Sequence, residues 1–365
     1  MCIRDRYETW AKGEAGLLLS GNIMVDERYL EAAGNVAIHH LSPEGPFKKW
    51  TKKVLEYGNA FWVQLNHPGR QATIFSTTKP LSASDVHLKK NGMFGKPRPM
   101  TEAEIEDVIS RFVKSANFCR RVGFTGAQIH AAHGYLISQF LSPRTNKRTD
   151  QWGGPIENRA RLLFSMVEQM RKLVGKEFSI SVKLNSADFQ RGGFDEQDSL
   201  FVIKGLEERG VDLLEISGGT YEDFTAFTKN NLKPSTLARE AYFLEFAKEV
   251  RQQSNIPIMV TGGIRSLAFC KEVLASKEMD ILGFGRPFLL DERFPKGFLD
   301  GSLERVNDPN LKVSAKLFDM GIAGFYDYQI ERLATGKSLN MNYSGWRGVM
   351  RMTKNELWKG MRNKV

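Results

Sequence analysis

The run His130-Ala131-Ala132-His133-Gly134-Tyr135 follows the apolar stretch Gly126-Ala127-Gln128-Ile129, so two imidazoles and a phenol stand at what reads as the end of a strand. Each group can donate a hydrogen bond to an oxygen at neutral pH, and each can be tuned as an acid. Three such donors at one strand end suit a site that grips a carbonyl-type oxygen and hands over a proton. A zinc site is the poorer reading, because this His-x-x-His has no neighbouring Glu base and no third ligand at helical spacing.

Other strand ends carry polar groups of their own. Gln64 lies inside the run Ala60–Leu65, where an amide is costly unless it is paired; it could match a pyrimidine-like edge or be satisfied in the core. Lys183, in Ser181-Val182-Lys183-Leu184, is a buried-looking cation that could face a cofactor or pair with a carboxylate such as Glu215. Gly262-Gly263 and Gly285-Arg286 close the next two apolar runs that end in glycine. Bare backbone N–H groups plus a guanidinium make an anion cradle.

These residues need elements to hold them. Seven apolar runs read as strands: Gly16–Ser20, Ala60–Leu65, Gly126–His130, Phe178–Leu184, Asp212–Ser217, Pro257–Thr261 and Asp280–Gly283. Near-continuous apolar strands are those of a parallel sheet covered on both faces. Amphipathic segments alternate with them, the clearest being Thr101–Val122, opened by the capping box Thr101-Glu102-Ala103-Glu104. Ile156–Val174 reads as one further helix. This alternation predicts an α/β fold, a (β/α)8 TIM barrel with its site at the C-terminal strand ends. One barrel domain would cover residues 1–365, with its core at about 7–300 and a helical tail beyond. Only seven strands are found where closure needs eight. Tyr7–Lys12 reads as the end of a helix, and Met1–Arg6 fit no element, as if grafted onto an incomplete frame.

Bulk properties narrow the class. The 365 residues are 41% hydrophobic and 26% charged, as in a globular protein. No apolar run approaches the ~20 residues of a membrane span, and no secretory h-region opens the chain, so the expectation is a cytoplasmic protein without a membrane partner. The three cysteines are far apart and support neither a disulfide framework nor a cysteine metal site. The net charge of +10 is spread along the chain and interleaved with acidic residues, which argues against nucleic acid and for phosphorylated small molecules. Gly-x-Ser-x-Gly, Walker and Rossmann patterns are absent.

The assembled motifs resemble the old yellow enzyme family of FMN-dependent NADH:flavin oxidoreductases and ene-reductases. The resemblance rests on Phe61–Arg70, on His130–Pro143 with its continuation through Asn146, Arg148, Asp150, Gly153-Gly154 and Glu157-Asn158-Arg159, and on Val260–Ile264 and Gly283–Pro287. It implies FMN across the barrel mouth, with Gln64 on its pyrimidine ring, Lys183 by the N1/O2 edge, and backbone groups of Gly21 nearby. Gly262, Gly263, Gly285 and Arg286 would hold the phosphate. His130 and His133 would bind the substrate oxygen, hydride would pass to an activated C=C bond, and Tyr135 would supply the proton. NADH or NADPH would be the reductant, a small molecule the substrate, and a homo-oligomer a possible assembly.

Two departures from the family pattern stand out. The family's first strand is missing, which implies an open seam and weaker FMN binding, and Lys183 stands where many relatives carry Arg. The alternative reading is a truncated, catalytically silent barrel fragment with weak or no flavin binding. A further rival is another FMN barrel, a dihydroorotate or 2-hydroxy-acid dehydrogenase. It fits less well, since those reactions need a base where this sequence offers donors.

Overall fold

The computed structural model describes residues 3–32, 34–39, 41–89, 92–218, 235–314 and 317–362. Its main sheet is built from β1 (Leu17–Met24), β2 (Ala60–Asn66), β5 (Gly126–Ala131), β6 (Ser179–Asn185), β7 (Leu213–Ser217), β8 (Ile258–Thr261) and β9 (Ile281–Gly283). Two-residue strands, β3 (Leu81–Ser82) and β4 (Arg98–Pro99), pair separately. The seven strands run parallel in the order β1-β2-β5-β6-β7-β8-β9, with helices between them. This is the wound β/α pattern of a TIM barrel. Among the described residues no pairing joins β9 to β1, so the barrel stands open there.

The strands form where the sequence is apolar because both faces are covered. All six residues of β5 and all five of β7 are buried. Helix Glu102–Arg121 shows the matching helical logic. Ile105, Val108, Ile109, Phe112, Val113 and Ala116 make its buried stripe. At its start, Thr101 Oγ1 accepts from the Glu104 N–H at 3.3 Å while the Glu104 carboxylate accepts from the Thr101 N–H at 2.9 Å.

Two expectations about helices need correction. Residues 3–6 do belong to an element, helix Ile3–Ala11. Ile3, Tyr7 and Ala11, four residues apart, form its inner stripe, with Tyr7 and Ala11 buried and Ile3 packed against the core. The long helix expected over Ile156–Val174 is two, Ile156–Arg159 and Arg161–Val174, parted at Ala160, which caps both.

The N-terminal helix bridges the open seam. Tyr7 Oη accepts from the Gly21 N–H on β1 at 2.9 Å, and Trp10 Nε1 donates to the Phe288 carbonyl, just past β9, at 3.0 Å. The region after β9 is helical, as expected, through Phe294–Asp300, Phe318–Ala334 and Gly345–Arg362. Among the described residues no helix is long and apolar enough to cross a membrane.

Candidate active site

β5 delivers His130 and the loop after it delivers His133 and Tyr135. The chain turns sharply there: His133 and Gly134 have φ of 60° and 76°. A left-handed backbone at a non-glycine residue is strained, and here it is held by two hydrogen bonds. The His133 N–H donates to Asn185 Oδ1 at 3.2 Å, and Gln71 Nε2 donates to the His133 carbonyl at 3.0 Å.

The turn brings the three rings together. The His130 ring lies 5.1 Å from that of His133 and 4.7 Å from that of Tyr135, edge to face in both pairs. His130 Nδ1 accepts from the Ala132 N–H at 3.3 Å, which puts the proton of the neutral ring on Nε2. His133 Nε2 is 2.7 Å from Ser217 Oγ at the end of β7, which fixes that ring's orientation. Burial pushes both imidazoles well below their usual range; for His130, the neighbouring His133 and Lys183 add to it, and for His133, Lys183 does. Both are therefore neutral rings at neutral pH.

Below this layer a chain of polar side chains crosses the sheet. Gln64 Nε2 donates to Gln128 Oε1 at 2.7 Å, Gln128 Nε2 donates to Glu215 at 2.8 Å, and Lys183 Nζ donates to Glu215 at 2.8 Å. The strand register explains the alignment, since Gln64 pairs with Gln128 and Lys183 with Glu215. The Lys183–Glu215 pair is one of the two alternatives the sequence left open for Lys183. Gln64 remains half-buried, with one face of its amide on Gln128.

The glycine turns lie on adjacent strands. Thr261 pairs with Gly283, so Gly262-Gly263 and Gly285-Arg286 emerge side by side. Gly262 and Gly263 have φ of 149° and 66°, and a side chain at Gly285 would meet nothing within 4 Å. Arg286 opens a short 3-10 helix, Arg286–Leu289. Gly21 sits at a register shift in β1 between Leu19 and Asn22, its N–H taken by Tyr7. Of the loop Ser217–Thr220, Gly219 and Thr220 lie outside the described residues.

The structure thus gathers His130, His133 and Tyr135 at one strand end, Gln64 and Lys183 along one polar chain, and Gly262, Gly263, Gly285 and Arg286 at one edge. Three participants escaped the sequence reading: Gln128, and Asn22 and Glu31, which are hydrogen-bonded to each other and to Tyr135. Gln128 had a signal, a lone amide in an apolar strand. Asn22 and Glu31 had none.

Comparison with known proteins adds the following. Residues 3–301 match the model of the NADH:flavin oxidoreductase / NADH oxidase family. The chain is 35% identical over 322 residues to an NADH-dependent flavin oxidoreductase of Hypocrea jecorina, covering 81% of this chain and 79% of that one. It is 32% identical over 305 residues to an NADH oxidase of Thermoanaerobacter brockii, covering 83% of this chain and 46% of that one. In fold it is similar to an old yellow enzyme homologue from Zymomonas mobilis, with a TM-score of 0.70 at 24% identity over 86% of this chain and 88% of the other.

FMN is the cofactor of this family, and the donor set fits it. Gly262 and Gly263, whose positive φ a Cβ would strain, beside the open backbone of Gly285 and a guanidinium, suit a phosphate dianion. A half-buried amide on β2 and a half-buried ammonium on β6 suit the carbonyl and nitrogen edge of a flavin ring.

Proposed function

The chain belongs to the NADH:flavin oxidoreductase / NADH oxidase family, and on that premise we propose that it reduces an electron-poor C=C bond of a small molecule with electrons from NADH or NADPH. Bound FMN would supply the two-electron chemistry, taking hydride from the nicotinamide and passing it to the β-carbon of the substrate. Gln64 and Lys183 would hold its ring, and Gly262, Gly263, Gly285 and Arg286 its phosphate, with Gly21 at the rim.

The protein's own share is electrostatic. His130 and His133 hold the substrate's carbonyl or nitro oxygen. As neutral donors they cost no cationic desolvation, and they stabilise the negative charge that hydride addition creates on that oxygen. Ser217 and the Ala132 N–H keep the rings aimed. Tyr135, 2% exposed, protonates the α-carbon. The observation that carries this reading is the packing of two neutral imidazoles and one phenol within 5.1 Å at the C-terminal end of β5.

The test is a titration of the FMN-loaded protein with p-hydroxybenzaldehyde. A phenolate held by the histidine pair over the flavin should produce a long-wavelength charge-transfer band. His130→Ala should weaken phenol binding at least tenfold, from loss of one ~1.5 kcal/mol hydrogen bond to a charged oxygen, and leave FMN affinity alone. Equal losses for phenol and FMN would overturn the assignment.

A further inference from the structure

Glu31 lies in the loop after β1, outside every motif, yet its carboxyl is hydrogen-bonded to the phenol of Tyr135. Asn22 on β1 joins the two, its amide nitrogen 2.5 Å from Glu31 Oε2 and 3.3 Å from Tyr135 Oη. The bulge at Ser20-Gly21 makes this contact, because it shifts β1 so that Asn22 falls opposite Gln64. Tyr135 is buried and Glu31 half-buried, so the carboxyl lies nearer solvent than the phenol does. On the inner side stand His130 and His133, with Lys183 close enough to depress both. Burial also pushes the Glu31 carboxyl up, against the opposing hydrogen bonds from Tyr135 and Asn22.

We propose that Glu31 is the proton relay for Tyr135, returning to the phenol the proton it gives up in each turnover. The inference rests on Tyr135 being the donor. In the reaction, the hydride that NAD(P)H would supply by way of bound FMN forms the C–H bond at the β-carbon as the C=C π bond opens. The Tyr135 O–H breaks, and its proton forms the C–H bond at the α-carbon. The phenolate then takes the proton of the Glu31 carboxyl, and the carboxylate recovers one from solvent. Asn22 holds the two oxygens in line.

The relay predicts a particular kinetic shape. FMN-loaded Glu31→Gln still carries a protonated Tyr135 before its first turnover and lacks a proton to return afterwards. With 2-cyclohexenone and excess NADH it should show a burst of one product per site, followed by steady turnover about tenfold below the wild type. The wild type should show no burst, and flavin reduction by NADH should be the same in both. Glu31→Asp should restore part of the steady rate.

Slowing of the first and later turnovers alike would mark a structural role and overturn the relay. So would wild-type behaviour in Glu31→Gln while Tyr135→Phe is impaired about 100-fold, an outcome that leaves the Tyr135 assignment standing. A fully active Tyr135→Phe would overturn that assignment and the relay with it. Should Glu31→Gln not fold, infrared spectra of the oxidised protein decide. A protonated-carboxyl band that shifts in Tyr135→Phe supports the relay, and spectra that are unchanged between the two overturn it.

Discussion

β5 and β9 each end in residues assigned to the site, and they are built in opposite ways. β5 has six residues, all buried, with β2 paired on one side and β6 on the other. β9 has three residues, all half-buried, and among the described residues pairs only with β8. The side chains we assign to the substrate stand on or just after the strand paired on both sides, where Asn185 and Ser217 hydrogen-bond His133. The residues we assign to the phosphate stand at the edge and would rely on backbone N–H groups, which need no side-chain order. On that assignment, order would be concentrated where bonds change, and the edge would provide charge.

The comparison can be broken by mutation. Ile129→Ala on β5 removes a fully buried side chain and should cost about 2–5 kcal/mol, whereas Ile281→Ala on half-buried β9 should cost under about 1.5 kcal/mol. Urea midpoints would show it, and equal shifts would mean that β9 is as tightly integrated as β5.

Acid should act on the β2–β5 side. Burial lowers His67, beside the end of β2, to about 4, below its unfolded value of about 6.5. Between those values the unfolded chain binds the extra proton, so stability is full above pH 6.5 and falls as the pH drops toward 4. The loss amounts to roughly 3 kcal/mol when complete, with His130 and His133 adding in the same direction. His67→Gln should flatten the decline in melting temperature between pH 7 and 5; an unchanged slope would sink this explanation.

Arg286→Ala tests the other side. It should weaken FMN about tenfold, the loss of a charge-assisted hydrogen bond worth ~1.5 kcal/mol, while the melting temperature of the flavin-free protein stays within about 2 °C. Flavin fluorescence on titration reads the first, and a thermal scan the second.

Much of this was legible beforehand because burial on both faces writes itself into composition. All seven barrel strands fall within a few residues of where apolar runs placed them, and the capping box at Thr101 marked its helix start. The His130–Tyr135 cluster was legible because three donors in six residues are rare. Helix Ile3–Ala11 was only half legible, since Arg4, Asp5 and Arg6 fill its first turn and its inner stripe is just Ile3, Tyr7 and Ala11. The Asn22–Glu31–Tyr135 contact was illegible for another reason. It depends on a bulge and an irregular loop, which leave no period in the sequence.

The Lys183–Glu215 pair has a consequence for how the cofactor would respond to salt. Its two side chains are 13% and 3% exposed, so their charges are balanced within the protein and shielded from ions in the medium. Arg286 is half-buried at the rim and meets those ions directly. Raising ionic strength should therefore loosen FMN from its phosphate end inward, with the ring the last part to let go.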